Sequence, residues 1–195
     1  MVKKFRNYQA GMTYVELIVV LSIFSVMTSI VIFNYGKFEE KVNIKVLAND
    51  IALKIVEAQK SSMAGLWNTN APLDWKPSYG INFNTSNDTN KKNFIYFTDL
   101  NADAYYRDLS CSGECLDRIS ITKGDYVSEL GIIGDGCPAT VNNLNIVFKR
   151  PNSSAIITSD PALLCNIFYV QISISSPQLL NAKIKVYPSG RIQIN

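Results

Sequence analysis

Histidine is absent from all 195 residues. Its absence removes the commonest general base, the Ser-His and Cys-His nucleophile pairs, and the commonest metal ligand. No Cys-x-x-Cys knuckle occurs, so a four-thiolate zinc site lacks its usual spacing. No glycine-rich phosphate loop is present either. With no nucleophile–base pair in view, these absences point away from an enzyme. Charge is also sparse, at 18% of residues against 47% hydrophobic. That balance excludes a disordered chain and allows one domain plus an appendage.

The formal net charge is +3, and Lys3, Lys4 and Arg6 supply three of the positives. Removing residues 1–11 would leave no net side-chain charge. The basic balance therefore belongs mainly to a short leader, which is weak support for nucleic-acid binding by the body of the protein. After the leader comes a nearly unbroken apolar run, 17–33. Its length, roughly 17 residues, is at the short end for a membrane-spanning helix and close to a signal-peptide core. The basic leader orients it with residues 1–11 in the cytoplasm and the remainder outward. No A-x-A-like cleavage pattern follows Phe33.

One carboxylate, Glu16, stands at the start of the apolar run. A charge at bilayer depth costs at least a few kcal/mol unless it meets a partner, or snorkels to the headgroups. With its neighbours it forms Gly11-Met12-Thr13-Tyr14-Val15-Glu16-Leu17. This stretch resembles the processing signature of type IV prepilins and type II secretion pseudopilins. The resemblance implies cleavage between Gly11 and Met12 by prepilin peptidase, on the cytoplasmic side. It also implies N-methylation of Met12 by the same peptidase/N-methyltransferase. In the family this glutamate lies near the N-terminal ammonium of a neighbouring subunit, which here would be Met12 of the adjacent chain. Burying both charges is tolerable because each is the other's partner, so a lone subunit is expected to carry an unpaired Glu16.

A continuous helix is expected from about residue 12 to 63, with Gly65 as its stop and no proline inside it. Its first part, 12–36, is apolar all round and reads as a transmembrane or filament-core segment. Its second part, 37–65, is amphipathic, with Val42, Val46, Leu53 and Val56 as the buried stripe, widened by Leu47, Ile55 and Met63. The head, 66–195, begins with a loop broken by Pro72 and Pro77. Short alternating runs then predict strands at 79–83, 94–97, 118–122, 144–148, 155–158, 167–174, 182–187 and 191–194. The fold class expected is α+β: a long N-terminal helix packed on an antiparallel β-rich head, as in the pilin fold. Tyr79-Gly80-Ile81-Asn82-Phe83, Phe97-Thr98-Asp99-Leu100-Asn101, Ile146-Val147-Phe148 and Gly190-Arg191-Ile192 further resemble the GspH/FimT-like minor pseudopilins and pilins.

Three features of the head carry candidate chemistry. Asp99, Asn101 and Asp103 have the spacing of the first half of a calcium loop, with Asp108 as a further oxygen. The competing reading is a turn whose Asp and Asn side chains bond their own backbone, and no other cofactor is implied. Cys111, Cys115, Cys137 and Cys165 make an even set, which reads as a disulfide framework in an exported chain, with three connectivities open. Arg191, Lys183 and Lys185 are candidate DNA contacts, against the plainer reading of a solvated strand face. FimT-like DNA-uptake pilins carry a basic residue where Gln193 stands. The function expected is thus a minor pilin or pseudopilin in a type IV pilus or type II secretion filament, not an enzyme. Its partners would be other pilin subunits, the peptidase and an inner-membrane assembly platform. It would sit in the bacterial inner membrane with its head outside the cytoplasm, and then in a filament. The alternative is a DNA-uptake or adhesive pilin whose head binds a ligand.

Overall fold

A computed structural model describes residues 11–71, 75–107 and 111–195. The chain divides into two compact units, Met1–Glu39 and Glu40–Asn195. One α-helix, α1 (Tyr14–Ala64), supplies residues to both. The class is α+β, with this long N-terminal helix followed by antiparallel sheet.

In the first unit the helix presents large apolar side chains in every direction. Phe24 is 66% exposed and Phe33 81%. An apolar surface of that extent is stable only when lipid or other protein covers it. Among the described residues this is one helix long and apolar enough to cross a membrane. Its hydroxyl groups do not oppose that environment, because each turns back onto its own backbone. Ser22 donates to the Val19 carbonyl, Ser25 to Leu21, Thr28 to Phe24 and Ser29 to Ser25, all at 2.8–2.9 Å. Local bonding of this kind satisfies polar groups where no water is available.

The second unit is built on the remainder of α1. Ile44, Ala48, Ile51, Ile55 and Ala58 are at most 3% exposed and fall on one face, three or four residues apart. This is not the stripe expected from the periodicity. Val42, Val46, Leu53 and Met63 are all at least 41% exposed, whereas Ile55 is fully buried, Leu47 packs half-buried against the core and Val56 is half-buried. Two apolar stripes compete on this helix. The one that is buried combines Ile44, Ile51 and Ile55 with the small Ala48 and Ala58.

The helix ends where Gly65 adopts φ +60°. The Leu66 amide donates to the Ser61 carbonyl at 3.2 Å and the Gly65 amide to Ser62 at 3.0 Å. These are the two bonds of a Schellman cap, whose left-handed residue favours glycine. Side chains then tie the helix end to the sheets. Ser62 donates to the Phe148 carbonyl, Tyr96 to the Ser61 hydroxyl, and Gln59 to the carbonyls of Ser153 and Gly190.

The strands are β1 (Ser78–Asn84), β2 (Asn93–Asp99), β3 (Cys115–Ser120), β4 (Tyr126–Asp135), β5 (Thr140–Val141), β6 (Asn143–Phe148), β7 (Ala155–Asp160), β8 (Asn166–Ser175), β9 (Asn181–Val186) and β10 (Ile192–Ile194). They form two five-stranded sheets, β3-β2-β1-β6-β7 and β10-β9-β8-β4-β5. All pairings are antiparallel. The main core lies among the helix and both sheets, with Ile81, Phe83, Leu130, Leu144, Ile146, Phe148, Ile172 and Ile184 fully buried. A smaller cluster of Ile95, Phe97, Ala104, Tyr106 and Val147 places residues 104–106 over the opposite face of the first sheet. Gly80 leaves room for Phe97 there, since a Cβ at Gly80 would come within 2.9 Å of its ring.

The two stripes make opposite demands on mutation. Ile55→Ala is expected to destabilise the second unit by about 2–5 kcal/mol. Leu53→Ala, at a position 65% exposed, is expected to change stability by less than about 0.5 kcal/mol. Chemical denaturation of the detergent-solubilised chain, followed by tyrosine and tryptophan fluorescence, measures both.

Candidate functional site

The start of α1 is a closed hydrogen-bond box. Thr13 is the residue before the helix, and its hydroxyl accepts from the Glu16 amide at 3.3 Å. The Glu16 carboxylate accepts from the Thr13 amide and from the Thr13 hydroxyl, both at 2.8 Å. This reciprocal Thr-x-x-Glu arrangement satisfies helix donors that would otherwise lack acceptors. The carboxylate also lies at the positive end of the helix dipole. Glu16 therefore has hydrogen-bond partners in the single chain, all of them neutral groups of Thr13. Thr13 belongs to the signature, and its Thr-x-x-Glu spacing to Glu16 is itself the sequence mark of this cap. Gly11 and Met12 are exposed beside the box, with Met12 68% accessible. Lys3, Lys4 and Arg6 lie outside the described residues.

Asp99, Asn101 and Asp103 come together in the turn after β2, and their oxygens face backbone. Asp99 accepts from the amides of Asp103 and Ala104, at 3.2 and 3.1 Å. Asn101 accepts from the Asp103 amide at 3.1 Å, and Asp103 from the Tyr105 amide at 2.9 Å. Asp103 also pairs with Arg107, and Glu114 accepts from the Leu100 amide at 2.9 Å. This pattern is that of Asx turns. Among the described residues no group of three or more His, Cys, Asp or Glu side chains is arranged to hold a metal ion. Asp108 lies outside the described residues.

The cysteines form two disulfides, Cys111–Cys115 and Cys137–Cys165. The first closes a short loop before β3, and the second joins the segment after β4 to the start of β8.

Lys183, Lys185 and Arg191 share the outer face of the second sheet with aromatic rings. The Tyr169 and Tyr187 rings lie 5.5 Å apart. The Lys185 ammonium stands 5.0 Å from the Tyr169 ring and the Arg191 guanidinium 3.9 Å from Tyr187. Lys183 is two residues before Lys185 on β9, on the same face. The sequence marked the three cations, whereas the two tyrosines become visible only when β8 and β9 pair.

No family model matches the chain, and no curated protein or solved structure is significantly similar to it.

Three carboxylates of the head are held above their ordinary range. Burial raises Asp99, Glu114 and Asp125, and nearby negative charge adds to each: Asp103 for Asp99, Asp99 and Asp103 for Glu114, and Glu40 for Asp125. Backbone donors oppose the rise at Asp99 and Glu114, and Lys123 opposes it at Asp125. A carboxyl whose folded value is raised binds its proton more tightly in the fold than in the unfolded chain. Its contribution to stability is thus fully present below the unfolded value and is lost as pH rises through the folded one. Asp125→Asn is expected to flatten this decline and to raise the melting temperature near neutral pH relative to wild type. Thermal scans at intervals from about pH 4 to pH 8 read the slope.

Proposed function

We propose that this chain is a structural subunit of a type IV pilus or type II secretion filament, of the minor GspH/FimT-like kind. On this reading prepilin peptidase removes residues 1–11, and Met12 becomes a methylated N-terminus. The apolar part of α1 is first a single pass through the inner membrane and then part of a filament core. The head stays outside the cytoplasm, and no catalysis is assigned to it. The observation that carries the reading is the coincidence of two features at one place. The signature Gly11 to Glu16 runs into the start of a helix whose large apolar side chains from Leu17 to Phe33 stand exposed among the described residues. Two disulfides support an oxidising compartment for the head. The proposed partners are neighbouring subunits, the peptidase and the membrane assembly platform.

In assembly the Glu16 carboxylate would keep its Thr13 bonds and add the ammonium of a neighbouring Met12. A carboxylate accepts from several donors at once, so capping and pairing are compatible. Glu16→Ala is expected to spare membrane insertion and cleavage while reducing incorporation into filaments about tenfold or more. Thr13→Ala weakens only the cap, costing about 1 kcal/mol of helix stability, and is expected to incorporate far better than Glu16→Ala. Equal losses in the two variants, read on blots of sheared filaments, would mean that Glu16 acts through the cap alone.

A second reading, a nucleic-acid-binding pilin, is favoured by the cation–aromatic cluster on β8, β9 and Arg191. Phosphate contacts from Lys183, Lys185 and Arg191, together with rings that offer stacking surfaces, suit a single or double strand. Titration of the full chain in detergent with fluorescent DNA at several salt concentrations checks it. Binding should fall with salt, and Arg191→Ala should reduce the log–log salt slope by about one. Salt-independent or absent binding would remove this reading.

A further inference from the structure

A polar cleft of about 490 Å³ opens at the end of the first sheet that carries Asn84, Asn143 and Asp160. Its volume is in the usual range for small-molecule sites. It is lined by Asn84, Tyr105, Arg107, Asn143, Ser159 and Asp160, together with Ala162. Three of these make one cross-strand row: Asn84 of β1 opposes Asn143 of β6, and Asn143 opposes Asp160 of β7. Residues directly opposed in antiparallel strands bring their side chains together on one face.

The lining is held in place before any ligand arrives. Asn82 donates to the side-chain oxygens of Asn143 and Asn145, at 2.6 and 2.7 Å. Asn143 donates in turn to the Tyr105 hydroxyl at 3.1 Å, which bonds the Asp160 carboxylate. The Arg107 guanidinium lies 4.5 Å from the Tyr105 ring and pairs with Asp103. The Asn84 oxygen accepts from the Ser86 amide at 2.8 Å, leaving its amide nitrogen as a donor. Side chains fixed in this way bind with little further ordering cost.

The composition of the cleft selects the ligand. Within the lining the Asp160 carboxylate balances the Arg107 guanidinium, which is itself paired with Asp103, so the cleft offers an anion no net positive charge. Only Ala162 and the Tyr105 ring are apolar, which disfavours a greasy molecule. What remains is a row that offers donors from Asn84 and Arg107 beside acceptor capacity on Asp160. Adjacent hydroxyl groups, each both donor and acceptor, match that alternation. We propose that the cleft formed by Asn84, Tyr105, Arg107, Asn143 and Asp160 binds a neutral saccharide. The site is independent of filament assembly and stands whether or not the subunit reading holds.

The test uses the full chain in a sugar-free zwitterionic detergent. The probes are methyl glycosides of glucose, galactose, mannose and N-acetylglucosamine, with their disaccharides, screened by saturation-transfer NMR and measured by calorimetry. At least one neutral saccharide should bind saturably. Asp160→Asn and Asn84→Ala should each weaken it about tenfold, since each loses a hydrogen bond that the ligand needs. Lys60→Ala, on an exposed face of α1, should bind as wild type. Melting temperatures establish that the variants are folded; should Asp160→Asn unfold, Asn84→Ala decides. No binding across the panel would overturn the proposal, as would affinity unchanged in the folded variants. Tighter binding of glucuronate or inorganic phosphate than of any neutral sugar would overturn it too.

Discussion

Everything in this protein depends on one helix whose apolar side chains have two destinations. From residue 40 onward, Ile44, Ala48, Ile51, Ile55 and Ala58 are removed from water by the sheets of the head. Before residue 40, comparable side chains of the described residues stand exposed. The hydrophobic effect acts on both parts with similar strength per unit area. The second part meets this demand within the head, whereas the first part belongs to a helix long and apolar enough to cross a membrane.

Polar groups along the chain are reconciled with that demand by short-range bonds. The serines and threonine of the apolar segment return to their own carbonyls. Thr13 and Glu16 close the helix start on themselves. The turn after β2 uses Asp99, Asn101 and Asp103 to hold backbone amides. In each case a polar residue that invites a functional reading first has a local structural role. For Glu16 the two roles coexist, because a carboxylate has more acceptor capacity than the cap consumes. In the turn after β2, oxygens of Asp99, Asn101 and Asp103 each hold a backbone amide.

Much of the β-rich head was legible because β1, β2, β6, β7, β8, β9 and β10 are short runs rich in β-branched and aromatic residues, most of them alternating, bounded by Asn, Pro, Ser and Gly. β3 was displaced by a few residues, since it begins at Cys115 within a disulfide loop that no alternation marks. β4, Tyr126–Asp135, was not anticipated. Gly131 and Gly134 lie inside it and read as breaks. Pairing with β8 carries it through two register shifts, between Val127 and Glu129 and between Ile133 and Gly134. Omitting β4 hid the second sheet, because β4 lies between β8 and β5.

By itself the sequence determined the helix start, the apolar run, the Gly65 stop and the α+β class. These follow from interactions spanning a few residues: capping, periodicity and the conformational freedom of glycine. Tertiary structure decided which of two helix stripes is buried, because both are apolar at helical spacing and only one faces the sheets. It decided the disulfide pairing, since three connectivities are equivalent until the strands are placed. It also brought Asn84, Asn143 and Asp160 into one row. Residues 59 and 17 positions apart in the chain become neighbours only through the registers of β1 with β6 and β6 with β7. No local rule encodes such distances, because strand register is set by what the whole sheet buries.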